Sequence, residues 1–192
     1  HEMLDAYKSG KEQIAQQKRL KKQLAQERLA KRRKDMQNGH KIALVDSGVP
    51  EELAEAQIKE VEQLEAIEDK QRAVQDEQMQ KKEAQLAAER EAQLQTDLNS
   101  AATEEERKRI ADTYTKDAVA NKAKLAEERA GKRSRLNDRL AARKKALTSK
   151  HKKQLEEKGL EQAAQVVEKQ QDQREKLDVA AAEVTMTTEE AE

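Results

Sequence analysis

The chain has 192 residues, of which 41% are charged and only 1% aromatic, with no Trp, Phe or Cys. Lys and Arg balance Asp and Glu at 39 each, so no global charge pulls the chain toward nucleic acid or membrane. That composition excludes a thick aromatic core, a disulfide framework and a thiolate metal site. The dominance of Ala, Glu, Lys, Leu, Arg and Gln is instead the profile of long helices and coiled coils. The expected fold class is all-α: long extended helices, as a helical hairpin or coiled-coil-like rod, with no globular core.

Four elements follow in chain order. A basic long helix is expected over 1–49, with Asn38-Gly39 as a possible early break. It ends at Asp46-Ser47-Gly48-Val49-Pro50, where Gly48 suits the left-handed position after a helix and Pro50 the first turn of the next. An acidic-to-mixed long helix fills 50–99. Thr103 with Glu106 reads as a capping box that opens a second basic long helix within 100–159. Lys158-Gly159 closes it, and a short helix with an acidic tail occupies 160–192, the helix reaching about residue 182. At the Gly48 break an antiparallel hairpin is favoured over a bent continuation kinked at Pro50; reversal would place basic 18–34 beside 63–79 and Ile42 and Leu44 near Leu53 and Ala54.

Two periodicities run through these helices. Tyr114, Leu125, Leu136 and Leu147 lie eleven apart, as do Met3, Ile14, Ala25 and Met36. Eleven residues in three turns describe a nearly straight helix stripe. At an offset of 111, Arg28-Leu29-Ala30-Lys31-Arg32-Arg33-Lys34 matches Arg139-Leu140-Ala141-Ala142-Arg143-Lys144-Lys145. The same offset pairs His40 with His151, Leu44 with Leu155 and Gly48 with Gly159. The segment 100–159 thus reads as a repeat of 11–48. Charge alternates with it: 8–34 and 121–153 are basic, 50–69 and 154–192 acidic.

The basic helix with Gln- and Glu-rich flanks resembles repeats of large charged coiled-coil proteins of the trichohyalin-like sort. That resemblance implies a mechanical or scaffolding role and identifies no binding residues. The repeat length is similar to that of spectrin-type repeats, but the core Trp and three-helix apolar pattern are missing.

No phosphate loop, zinc-protease helix or calcium loop is present, so neither enzyme activity, cofactor nor metal is expected. His40 and His151 read as polar contacts near helix ends rather than metal ligands. The expected role is a structural or scaffolding protein of a filamentous or cytoskeletal assembly, acting through helix–helix association and registration of charge blocks. The alternative is a filament-binding module for microtubules or actin. Its residues would be Arg28, Lys31, Arg32, Arg33, Lys34, Arg139, Arg143, Lys144 and Lys145. Partners are expected to be protein, by self-association or in a larger assembly. Nucleic acid is disfavoured, because no aromatics interleave with the basic residues. No apolar run reaches the length of a membrane span. The expected location is cytoplasmic and cytoskeletal, and a start at His1 reads as part of a longer protein.

Overall fold

The computed structural model describes the backbone of residues 2–190 and the side chains of 13–182 apart from Ala15. The described residues form four helices and no strand: α1 (Glu2–Asp46), α2 (Glu51–Ser100), α3 (Glu104–Glu157) and α4 (Glu161–Glu190). Helix α1 runs unbroken through Asn38-Gly39, and α4 continues helical beyond residue 182, where the sequence suggests a tail. Two compact units result: His1–Glu60 with Thr148–Glu192, and Val61–Leu147.

In the first unit the two glycine turns share one geometry. Gly48 (φ 91°) and Gly159 (φ 74°) occupy the left-handed region, which a residue with a Cβ enters at a cost. Val49 N–H donates to the Leu44 carbonyl at 3.1 Å and Gly48 N–H to Val45 at 2.9 Å. Leu160 N–H donates to Leu155 and Gly159 N–H to Glu156, both at 2.9 Å. These paired bonds satisfy carbonyls orphaned at the helix end, and Val49 and Leu160 fold back onto the last turn. The turns adjoin: a Cβ added at Gly48 would lie 3.7 Å from Leu160 Cδ2.

Both turns reverse the chain. Lys41 Nζ reaches Glu51 and Glu55 at 3.4 Å, and Lys152 Nζ reaches Glu168 at 2.6 Å. In a continuous helix residues 41 and 55 would stand about 21 Å apart along the axis, beyond the reach of the two side chains.

Around the turns Leu44, Val49, Ala54, Ile58, Leu155, Ala163, Ala164 and Val167 form one buried cluster, with Leu53, Leu160 and Val166 packed against it. The expectation of no core is therefore corrected. Ala54, Ala163 and Ala164 bury little area themselves, but at 0–1% exposure they let helix backbones approach closely enough for a few Leu and Val side chains to be enclosed. Leu44 joins Leu53 and Ala54 as expected, whereas Ile42 stays exposed.

The second unit is an antiparallel helix pair. Numbers rise along α2 as they fall along α3: Glu68 pairs with Lys144 at 3.0 Å, Asp76 with Arg133 at 3.6 Å, Glu83 with Arg129 at 2.9 Å and Lys82 with Glu128 at 2.6 Å. The inner face of α2 runs Val61, Leu64, Glu68, Arg72, Gln75, Met79 and on to Asp97 at spacings of three, four and four, every position at least half-buried. On α3, Tyr114, Leu125, Leu136 and Leu147 lie on the inner face, buried or half-buried. The corresponding stripe on α1 is not buried: Ile14 and Ala25 are exposed, Met36 is half-buried, and the Met3 side chain lies outside the described residues. The turn between α2 and α3 carries the expected capping box. Thr103 Oγ1 accepts from Glu106 N–H at 3.2 Å, and the Glu106 carboxylate accepts from Thr103 and Ala102 N–H at 3.2 and 2.9 Å.

Candidate interaction site

The two basic clusters lie on regular helix, so their side chains fan around the axis and cannot all face one way. On α1, Arg28, Lys31, Arg32 and Lys34 are exposed, while Arg33 turns inward. Its Nη2 lies 3.2 Å from Asp178 Oδ1 on α4. On α3, Arg139, Arg143 and Lys145 are exposed, and Arg143 donates to Gln71 at 3.4 Å. Lys144 turns inward to the buried Glu68 carboxylate. The two inward members, Arg33 and Lys144, are counterparts at the 111 offset. Seven of the nine predicted contact residues therefore present charge to solvent and two fasten helices together.

Of the acids within 63–79, Glu68 and Asp76 pair with Lys144 and Arg133 on α3. Along α1, every described side chain from residue 13 to 32 is exposed, except Leu29, which is half-buried. This stretch carries Lys18, Arg19, Lys21, Lys22, Arg28, Lys31 and Arg32 against the single acid Glu27. It also leaves Ile14, Leu20 and Leu24 at 56%, 58% and 44% exposure. About 30 Å of helix thus presents a basic surface with exposed aliphatic side chains.

Below the apolar cluster, the first unit holds a polar layer that sequence reasoning treats as surface. His40, Gln57, His151, Gln170 and Arg174 are all buried. Gln170 Nε2 donates to the His40 carbonyl at 3.0 Å, and Gln57 Nε2 to the His151 carbonyl at 3.4 Å. His40 Nε2 lies 2.8 Å from Gln173 Oε1, and His151 Nε2 lies 3.0 Å from Glu60 Oε2. Gln173 Oε1 and the Glu60 carboxylate accept only, so each histidine carries its proton on Nε2. Burial is the main influence that holds both imidazoles below their usual titration range, opposed by those hydrogen bonds; Arg174 adds to the lowering at each. Glu60 is held below the usual carboxylate range by Lys150 and His151.

These contacts recur in pairs. Lys41–Glu55 corresponds to Lys152–Glu168, His151–Glu60 to His40–Gln173, and Gln57 on the His151 carbonyl to Gln170 on that of His40. In each pair the α1 and α3 members differ by 111, while the α2 and α4 members differ by 113. A two-residue shift after the second turn hides this correspondence from an ungapped comparison. The signal that could have exposed it was the Gln57–Gln170 spacing.

In the second unit, Tyr114 Oη donates to Asp97 Oδ2 at 2.6 Å, and that bond pushes the phenol up to about 12. Among the described residues there is no cluster of three metal-ligating side chains, and no helix is long and apolar enough to cross a membrane. Comparison of the chain with protein-family models, curated proteins and solved structures finds no match.

Proposed function

We propose that this chain is a structural, scaffolding element of a filamentous or cytoskeletal assembly that works by helix-to-helix association, with residues 13–32 of α1 as the contact. The observation that carries this reading is the solvent-facing run of α1 with exposed Ile14, Leu20 and Leu24. A helix without a packed face is marginal in water, because most helical stability in proteins comes from tertiary contacts. A partner helix would cover those side chains, and the surrounding lysines and arginines would set its register. Each exposed ion pair contributes only about 0–1 kcal/mol, so the charges select orientation more than they supply affinity. A repeated helix–turn–helix unit is part of this reading. The two matching glycine turns and the three recurring contact pairs support it.

The test is sedimentation and circular dichroism of the whole chain over about a hundredfold range of concentration. Mass action predicts that helicity and melting temperature rise with concentration, and that salt weakens the association. A monomer with a concentration-independent melt would refute the proposal.

A second reading, docking on an acidic filament such as a microtubule or actin, is favoured by the seven exposed basic residues of the two clusters. It predicts co-sedimentation at low salt that is lost at high salt. Arg32→Glu with Arg143→Glu should weaken it at least tenfold. Unchanged binding by that variant would remove these clusters as the site.

A further inference from the structure

The two halves of the polar layer share their glutamine bonds to the histidine carbonyls but differ at the imidazoles. His151 faces the carboxylate Glu60, whereas its counterpart His40 faces the neutral amide Gln173. His40 has a second peculiarity: its Nδ1 is buried and has no hydrogen-bond partner among the described residues. Neutral imidazole tolerates this, since Nε2–H is satisfied by Gln173 and Nδ1 holds only a lone pair. Protonation would place an N–H and a positive charge at a buried point with no acceptor, an arrangement that is costly in a protein interior.

We propose that this layer is a proton-operated latch, which holds α1 against α4 while His40 is neutral and releases them when His40 takes a proton. The charges around the layer give the sense of the effect. Helix α2 presents Glu60, α3 presents Lys150, and α4 presents Arg174, whose charge bears on both histidines. Farther out, Lys41 meets both Glu51 and Glu55, Lys152 meets Glu168, and Arg33 meets Asp178. Protonating either imidazole would add a positive charge where that of Arg174 already opposes it. Glu60 relieves His151, and nothing equivalent relieves His40.

The sign follows from linkage. The unfolded or opened chain binds protons near pH 6.5, the usual histidine value. The closed unit, with both imidazoles held lower, does not. Closure is fully favourable above about pH 6.5 and weakens as pH falls below it, by at most about tenfold per pH unit for each histidine. The second unit is a built-in reference, because the histidines of the chain are His1, His40 and His151 and none falls within Val61–Leu147.

The experiment is amide hydrogen exchange on the whole chain from about pH 7.5 to about pH 5, corrected for intrinsic rates. Amides of residues 35–44 and 170–177 are compared with those of 68–140. The opening constant of the first group should rise by up to about a hundredfold per pH unit, and that of the reference should stay flat. Gln173→Glu gives His40 the counter-charge that His151 already has, and should bring the rise to an end at a higher pH. Glu60→Gln should carry the rise to lower pH. A purely structural role for the layer would not give these opposite responses. The same pH profile in all three proteins would overturn the latch. So would a His40 ring in the folded parent chain that titrates at about 6.5 by NMR, a measurement that stands even if Gln173→Glu fails to fold.

Discussion

Replacing Leu155 with alanine is expected to lower the unfolding free energy of the first unit by about 3 kcal/mol, within the range for buried Leu→Ala changes. Leu155 is fully buried, with 0% of its surface exposed. It packs among Leu44, Ala163, Ala164 and Val167, and its carbonyl receives Leu160 N–H in the turn. Two of those neighbours are alanines, which have no side chain that could swing in to fill the space. The lost contacts and the cavity left behind should therefore both count in full. Leu44→Ala, at the matching place before the other turn, should cost a similar amount. Ile42→Ala, at 62% exposure, should stay within about 0.5 kcal/mol. Denaturant melts of the three variants check this. A loss below about 1 kcal/mol at Leu155 would mean that the cluster is not a core.

Much of the helical framework was legible because it is local. Gly48-Val49-Pro50, Thr103 with Glu106, and Gly159 each specify a helix end by chemistry within five residues, and helices stop or start at all three. The eleven-residue stripe on α3 was legible for the same reason, since period alone places Tyr114, Leu125, Leu136 and Leu147 on one face. Partner choice was not. The acids Glu68 and Asp76 could meet bases on α1 or on α3 equally well by charge, and Lys144 and Arg133 take them. Charge blocks are degenerate in a way that packed shapes are not. The polar layer was hidden for another reason: Gln, His and Arg count as surface in composition, and only their cross-helix bonds make burial tolerable. Within the basic clusters, sequence could not separate the two members that fasten helices from the seven that face solvent. That division depends on which flank of the helix meets a carboxylate.

Lys144 should be the most sensitive of those nine residues in the second unit. Glu68 is 1% exposed and Lys144 11%, with Nζ and Oε2 3.0 Å apart. Removing one partner of a buried ion pair typically costs several kcal/mol, because the other charge remains in a poorly solvated place. Lys144→Met keeps the length and apolar stem of the side chain and deletes the ammonium, so lost packing does not obscure the electrostatic effect. A loss of about 3 kcal/mol is expected. Lys145→Met, one residue along and exposed, should shift stability by about 0.5 kcal/mol or less. The double variant Glu68→Leu with Lys144→Met should regain most of the loss, since replacing both members of a buried pair by apolar groups of similar size is often neutral or stabilising. Guanidinium melts of the four proteins, read on a probe within Val61–Leu147, decide the matter. Equal stability of Lys144→Met and Lys145→Met would show that the pair carries no structural weight. A double variant no more stable than Lys144→Met would show that the loss came from somewhere other than the stranded carboxylate.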